Sequence, residues 1–215
     1  MVRAKVCGIT ELAEAHLAME AGANSIGFVF AKSKRQIHPE KAREISLSLP
    51  PFVSRVGVFV NEERHVVQEI ASFCDLDVLQ FHGDEPPDYC QRFSQRLIKS
   101  ISIKDEASIE ILPDYQKVHA FLLDTYHPHL WGGTGETFNW ELAIRAKAFN
   151  RPVILAGGLT AANIREAILA VQPYGVDVSS GVEDNGKKSK VKLQQFFLEL
   201  RRSMDELRKI SGAGS

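Results

Sequence analysis

Short apolar runs rich in β-branched residues alternate with helix-like stretches along the whole chain. This alternation is typical of βα units, in which helices connect consecutive parallel strands. The runs predict eight strands, at residues 4–6, 25–30, 54–60, 77–81, 97–101, 120–123, 153–155 and 175–178. Eight units favour an α/β fold of the closed (β/α)8 type, the TIM barrel, over the alternative of an open doubly wound sheet. We expect one domain over residues 1–210 and a frayed tail at 211–215.

Composition restricts the possible partners of such a chain. Its 215 residues are 44% hydrophobic and 25% charged, which predicts a globular protein with a full core, and the net charge of -1 offers no basic stripe for nucleic acid. No apolar run approaches the roughly 18 residues that a membrane span needs. Three cysteines without a C-x-x-C spacing predict free thiols. We therefore expect a cytoplasmic protein that binds small molecules, but neither nucleic acid nor a membrane.

Capping residues and loop lengths locate the helices and the candidate site. Helix starts are predicted at Thr10, Pro39, Asn61, residues 84–87 and Thr160. The last helix, about residues 190–209, carries one apolar stripe of Leu193, Phe196, Phe197, Leu200, Met204 and Leu207. The connections after the second and sixth strands are the longest. In a barrel both lie on the C-terminal face, where active sites are built.

Cys7 closes the first predicted strand, in K-V-C-G-I-T. Free cysteine is among the most buried residue types, so a structural role in the core is one interpretation. The other is a partly exposed thiol at the barrel mouth, where Gly8 leaves room. A nearby cation, Lys5 or Arg35, would then lower its pKa towards neutrality.

Glycines follow the last two predicted strands, in L-A-G-G-L-T and D-V-S-S-G-V-E. A phosphate needs converging backbone N–H groups with no Cβ in the way, and a helix N-terminus adds a favourable dipole. Gly157, Gly158, Ser180 and Gly181 therefore form a candidate phosphate site. The alternative is two tight turns in which the glycines only relieve strain.

Asp124 and Arg35 are the other charged candidates at the mouth. Asp124 follows the apolar run A-F-L-L at the end of the sixth strand, and burial under the lip at residues 131–135 would raise its pKa and let it donate a proton. As a lone residue it is more simply a loop cap. Arg35 lies in the loop after the second strand, where its guanidinium fork can grip a carboxylate or phosphate.

Histidines at the predicted mouth raise the question of a metal. His82 closes the fourth strand, while His127 and His129 flank a proline in the long sixth loop. A catalytic zinc needs about three convergent ligands, and no partners with suitable spacing occur. We expect no metal, with His82 facing the site as a hydrogen-bonding residue.

Taken in order, these strand-end motifs resemble those of the phosphoribosylanthranilate isomerases of tryptophan biosynthesis. The resemblance covers residues 2 to about 190 and is carried by K-V-C-G-I-T, G-F-V-F with S-K-R, G-V-F-V, L-Q-F-H-G-D-E, L-L-D-T with G-G-T-G-x-x-F-x-W, L-A-G-G-L, and D-V-S-S-G-V-E with G-K-K. Phe81 and Asn139 depart from it, standing where Leu and Asp are common, and residues 126–131 are unusually aromatic.

The resemblance implies an Amadori rearrangement of a phosphorylated aminosugar without any cofactor. N-(5'-phosphoribosyl)anthranilate, an aminoaldose, would become the aminoketose 1-(2-carboxyphenylamino)-1-deoxyribulose 5-phosphate. It also implies Cys7 as the general base, Asp124 as the general acid, Arg35 near the anthranilate end and the phosphate on the glycines of the last two loops. The protein would be a monomer or a homodimer.

Two other kinds of function remain open from the sequence. A different phosphosugar barrel is one: an indole-glycerol-phosphate synthase would need a catalytic lysine on a barrel strand and an N-terminal extension, and a pentose-phosphate epimerase paired Asp residues and His ligands around a metal. Neither set is recognised in the sequence. The other is a non-catalytic phosphosugar-binding barrel, which would require neither Cys7 nor Asp124.

Overall fold

A computed structural model describes residues 1–125 and 140–212. Eight parallel strands form a closed barrel in chain order, and the last pairs with the first. The barrel strands are β1 (Arg3–Cys7), β2 (Ser25–Val29), β3 (Ser54–Phe59), β4 (Val78–Phe81), β5 (Arg96–Ile103), β6 (Ala120–Thr125), β7 (Val153–Leu155) and β8 (Gly175–Val178). A short antiparallel hairpin, β9 (Glu183–Asp184) and β10 (Lys187–Lys188), follows the barrel. The predicted closed barrel is confirmed, and the open sheet is excluded.

The helices lie outside the barrel and connect its strands. They are α1 (Leu12–Ala21), α2 (Pro39–Ser48), α3 (Arg64–Phe73), α4 (Ala107–Glu110), α5 (Trp140–Ala146), α6 (Ile164–Val171) and α7 (Lys190–Gly212). Residues 213–215 lie outside the described ranges, so the frayed tail stays a prediction. Across those ranges, no helix is long and apolar enough to cross a lipid bilayer.

The fourth βα unit departs from the sequence prediction. Between β4 and β5 the chain forms only a single 3-10 turn, Tyr89–Arg92, where a helix starting at residues 84–87 was predicted. The buried carboxylate of Glu85 explains this difference. It accepts hydrogen bonds from the backbone of Asn61 and Gly83 and pairs with Lys99 on β5 at 2.8 Å. These bonds tie the segment to the barrel wall as a loop.

The N-cap of helix α1 lies one residue later than predicted. Glu11, not Thr10, is the N-cap residue. The carboxylate of Glu14 accepts hydrogen bonds from the backbone N–H of Thr10 and Glu11 and from the Thr10 hydroxyl. Its other oxygen accepts the backbone N–H of Lys188 at 3.0 Å, so the same side chain also fixes the hairpin after β8.

Helix α7 closes the outer layer with the predicted apolar stripe. Leu193, Phe196, Phe197 and Leu200 are buried, while Met204 and Leu207 are partly buried against the core. Each fully buried side chain of this size stabilises the fold by about 1.5–3 kcal/mol. The amphipathic pattern is therefore confirmed as the face that packs on the barrel.

Inside the barrel, the side chains change character along each strand. Towards the strand starts the interior is apolar, where Ile98, Ala120, Leu122 and Ile154 form one buried cluster with Ala156, the residue that follows β7. Successive inward residues lie two positions apart. Two residues further along, Leu122 is followed by Asp124, and Val78 is followed by Gln80 and then His82. Polar groups thus collect at the C-terminal end, above an apolar base.

Candidate active site

A pocket of about 320 Å³ opens at the C-terminal end of the barrel. It is lined by Cys7, Val29, Ala31, Lys32, Ser33, Arg35, Val58, Val60, Gln80, His82, Asp124, Asp177 and Ser179. A larger cavity of about 580 Å³ lies at the opposite end, among the strand starts, but Cys7, His82 and Asp124 are not part of it. The pocket of about 320 Å³ is therefore the candidate active site, on the face where barrels of this fold place their active sites.

Cys7 is the last residue of β1 and lies close beside β2. A Cβ added to Gly27, its partner in the β1–β2 register, would lie 2.9 Å from the Cys7 sulfur, so glycine is needed there. Cys7 is only 8% exposed. The expectation of a partly exposed thiol with a lowered pKa is wrong, because burial raises the pKa of Cys7 more than the neighbouring Lys5 ammonium lowers it.

Lys5 and Asp177 form a buried ion pair beneath the thiol. The Lys5 ammonium donates to an Asp177 carboxylate oxygen at 3.0 Å, and both side chains are less than a tenth exposed. Burial opposes the charge on Lys5, but Asp177 and Cys7 outweigh it, so the pKa of Lys5 is raised. A permanent cation therefore lies next to the sulfur and favours its thiolate form.

Asp124 faces the same pocket from β6. It is 5% exposed, and its Oδ1 accepts the backbone N–H of Thr125 at 2.8 Å. Its Oδ2 lies 3.4 Å from His82 Nε2, but no hydrogen bond joins the two atoms. The lip expected to cover Asp124, residues 131–135, lies outside the described part of the chain.

His82 is held by a chain of polar contacts across the barrel interior. The amide nitrogen of Gln80 lies 3.1 Å from His82 Nδ1 and donates to the Ser100 hydroxyl at 3.1 Å. With the amide in this orientation, Nδ1 is the acceptor, so the ring proton is on Nε2, next to Asp124. That nitrogen has no hydrogen-bond partner, so it is available to a ligand.

The glycines after β7 and β8 line a second, smaller cavity of about 40 Å³. Its walls are Asp124, Ala156, Gly157, Gly158, Leu159, Asp177, Ser179, Ser180 and Gly181. Asp124, Asp177 and Ser179 line both cavities, so the two are adjacent. Among the described residues, the backbone N–H groups of Gly157, Gly158, Ser180 and Gly181 have no hydrogen-bond acceptor. Unpaired amides of this kind can bind an anion.

Backbone conformation and close approach restrict several of these positions to glycine. Gly157 and Gly158 have φ of 78° and 63°, and a Cβ on Gly157 would lie 2.3 Å from Thr125 Oγ1. A Cβ on Gly181 would lie 1.9 Å from the Leu159 carbonyl oxygen. The close approach of these loops therefore requires glycine at 157 and 181, and it also exposes their amides to the cavity.

Arg35 lines the pocket of about 320 Å³, but its guanidinium is already paired. Nε and Nη2 donate to the two carboxylate oxygens of Glu183 at 2.7 and 2.8 Å. The side chain lies across Gly8, where a Cβ would be 2.4 Å from Arg35 Cδ. The sequence predicted the place of Arg35 but not the carboxylate that holds it.

Metal ligands do not converge in the parts of the chain that the structure describes. No group of three His, Cys, Asp or Glu side chains is arranged to hold an ion in residues 1–125 and 140–212. His127 and His129 lie in the gap between those ranges. All three cysteines are free thiols.

The model of the N-(5'-phosphoribosyl)anthranilate isomerase family matches residues 4–199. The chain belongs to this family. The resemblance found in the sequence is thereby confirmed, together with the predicted enzyme class and its place in tryptophan biosynthesis. Among curated relatives, the N-(5'-phosphoribosyl)anthranilate isomerase of Moorella thermoacetica is 55% identical over 203 residues, covering 94% of this chain and 91% of its own length.

Solved structures agree with this family. A phosphoribosyl anthranilate isomerase from Thermotoga maritima is 44% identical, with a TM-score of 0.88 over 94% of this chain and all of its own. A second isomerase structure contains reduced 1-(o-carboxyphenylamino)-1-deoxyribulose 5-phosphate. It is 42% identical, with a TM-score of 0.84 and coverage of 94% and 100%.

Sequence reasoning missed Gln80 and Asp177, which line this isomerase pocket, and Glu183, which holds Arg35. Lys5 was considered only as a possible influence on Cys7. Alternation along the strands is the signal that was available. Lys5 lies two residues before Cys7, Gln80 two before His82, and Asp177 two before Ser179. Each therefore faces the barrel interior with its strand-end neighbour.

Proposed function

We propose that this chain converts N-(5'-phosphoribosyl)anthranilate into 1-(2-carboxyphenylamino)-1-deoxyribulose 5-phosphate, with Asp124 as the general acid and Cys7 as the general base. The observation that supports this most is that a thiol on β1 and a carboxyl on β6 line one pocket, next to a glycine-lined cavity. The reaction needs one acid and one base at separate atoms of the sugar.

Asp124 acts first, on the furanose ring. Its carboxylic acid protonates the ring oxygen while the nitrogen lone pair forms a bond to C1. The C1–O bond breaks, leaving a free hydroxyl and a protonated Schiff base. His82 Nε2, 3.4 Å from Asp124 Oδ2, is placed to hydrogen-bond the carboxylate that remains.

Cys7 acts second, on the carbon next to the Schiff base. Its thiolate removes the proton from sugar C2, and the C–H electrons form the C1=C2 double bond as the iminium electrons return to nitrogen. The resulting enaminol tautomerises to the ketone by gaining a proton at C1 and losing the hydroxyl proton. The Lys5 ammonium stabilises the thiolate before this step, and Asp177 keeps that ammonium in place.

Two anionic groups of the substrate fit the two ends of the site. The phosphate would bind the free amides of Gly158, Ser180 and Gly181 in the small cavity, and the anthranilate carboxylate would lie near Arg35. No metal or cofactor is needed for either proton transfer. The ligand class is a small phosphorylated aminosugar, and a monomer or homodimer in the cytoplasm remains our expectation.

The alternative functions make different demands on the same residues. The synthase alternative requires a lysine on a barrel strand. Lys5 is on β1, but its ammonium is already paired with Asp177. A binding-only barrel remains the second candidate function. It explains the small cavity but gives no reason for an acid and a thiol in the neighbouring pocket.

Turnover of the aminoaldose separates the enzyme from the binding protein. The aminoaldose should lose its anthranilate-type fluorescence when the purified chain is added. We expect the same rate after treatment with EDTA. Binding of a product analogue without turnover would favour the non-catalytic barrel, and activity restored only by zinc would contradict the metal-free mechanism.

Gly181→Ala is expected to raise KM by about tenfold or more, with a smaller change in kcat. A Cβ there would displace the loop from the Leu159 carbonyl oxygen and move the amides that bind the phosphate. Steady-state kinetics measure the split. Gly22→Ala is the control, because it also replaces a glycine that the backbone requires, here for a positive φ of 118°, but Gly22 ends α1 away from the pocket. An unchanged KM in Gly181→Ala would remove the phosphate assignment.

A further inference from the structure

Glu183 is a buried carboxylate that the mechanism above does not use. It accepts two hydrogen bonds from Arg35 and one from the Lys188 ammonium, at 2.6 Å to Oε1. Burial opposes its ionisation, but the bonds from Arg35 and Lys188 outweigh this and lower the pKa of Glu183 to about 2. Glu183 is therefore a carboxylate at any pH at which the enzyme operates.

The hairpin after β8 fixes the position of this carboxylate. Glu183 on β9 pairs with Lys188 on β10 across a turn formed by Asn185 and Gly186, both with positive φ. Asn-Gly is the preferred pair for such two-residue turns. The backbone carbonyl of Glu183 also accepts the Lys192 ammonium at 2.7 Å. Glu183 is thus held by its own strand pairing and by α7.

Two cations share this one carboxylate, so the cluster of Arg35, Glu183 and Lys188 carries a net positive charge. Arg35 donates from Nε and Nη2, and in the described ranges its Nη1 has no hydrogen-bond acceptor. Lys188 also donates to the Ser179 carbonyl oxygen at 3.2 Å. The unused guanidinium nitrogen belongs to Arg35, which lines the candidate active-site pocket. A positive charge there favours an anionic group of the ligand.

We propose that Glu183 is a positioning residue for substrate specificity. It orients the guanidinium of Arg35 so that Nη1 remains available for the carboxylate on the aromatic ring of the substrate. Glu183 closely follows Ser180 and Gly181 of the proposed phosphate site. It therefore also fixes the distance between the two anion-binding ends of the site. This inference rests on the proposed function.

Glu183→Gln is expected to raise KM for the aminoaldose by about tenfold while kcat changes less than about threefold. The amide can accept only one of the two hydrogen bonds from Arg35, and it leaves the Lys188 ammonium without a counter-charge. Glu206→Gln is the matched control, because Glu206 makes the same two-point contact with Arg165 on the outer surface. The KM of Glu206→Gln should equal that of the wild-type enzyme.

A pair of product analogues distinguishes positioning from a purely structural role. Reduced 1-(o-carboxyphenylamino)-1-deoxyribulose 5-phosphate should bind about tenfold more weakly to Glu183→Gln, whereas its phenylamino counterpart without the carboxylate should bind equally to both proteins. In an Arg35→Met background, Glu183→Gln should have no further effect on either analogue. Calorimetry measures all of these affinities.

The proposal would be overturned if Glu183→Gln weakened the binding of both analogues equally, or if it kept its full effect on binding in the Arg35→Met background. Glu183 would then support the proposed phosphate site instead. Should Glu183→Gln fail to fold, Glu183→Asp keeps the charge but is too short to reach Arg35 at both oxygens, and the same selective loss is expected. A wild-type chain that binds both analogues but does not turn over the aminoaldose would refute the proposed function and leave this binding test intact.

Discussion

Cys7→Ser is expected to lower kcat/KM by about 1,000-fold, within the range that a positioned general base contributes. A serine hydroxyl is far too weakly acidic to be present as an anion, even beside Lys5. The substitution is nearly isosteric in this buried site, so the variant should fold and bind the reduced product analogue. Stopped-assay kinetics and calorimetry on the same preparation measure the two effects.

The pH profile gives a second measure of the same assignment. Only the thiolate of Cys7 can accept the proton, and burial raises the pKa of Cys7 above the ordinary thiol value of about 8.5. The thiolate fraction of Cys7, and with it the contribution of this group to kcat/KM, should therefore still be rising with pH above that value. The rising limb should be absent in the residual activity of Cys7→Ser.

Cys90→Ser is the control for this substitution. Cys90 is also a buried thiol, with its pKa raised to about 11 by burial, but it lies in the turn after β4 and does not line the pocket. We expect its kcat/KM to stay near the wild-type value. Full activity in Cys7→Ser would instead support the structural interpretation of Cys7, and His82 would be the next candidate for the base.

Asp124→Asn is expected to lower kcat by about 100-fold or more, with much less change in substrate binding. Asparagine keeps the size of the side chain and can accept the hydrogen bond from the Thr125 backbone. It cannot deliver a proton to the ring oxygen, so ring opening becomes rate-limiting. Single-turnover kinetics with the aminoaldose separate this step from binding and product release.

The same Asp-to-Asn change at Asp77 is a suitable control. Asp77 contacts Arg55 at the N-terminal end of the barrel, far along the strands from the pocket, and the change should leave kcat unaltered. Near-normal kcat in Asp124→Asn would mean that water or another group opens the ring. His82, with its Nε2 next to Asp124, would then be tested first.

The strand-end residues were predictable because they depend on local sequence. A βα unit places its functional residues where an apolar run stops, and Cys7, His82 and Asp124 each occupy such a point. All three line one pocket. One helix start was predicted wrongly. A helix was predicted to start at residues 84–87, because acidic residues and prolines are typical start signals. The Glu85 carboxylate instead forms an ion pair with the buried Lys99 ammonium.

The sequence by itself determined the number and order of the βα units, the face of α7 that packs and the strand-end positions of the candidate acid and base. These follow from periodicity and turn chemistry, which operate over a few residues. Only the tertiary structure decided the electrostatics of the site. Lys5 meets Asp177 across 172 positions, and Arg35 meets Glu183 across 148. Closing the barrel brings β8 beside β1, and no local pattern encodes which charges then become neighbours or how deeply the Cys7 thiol is buried.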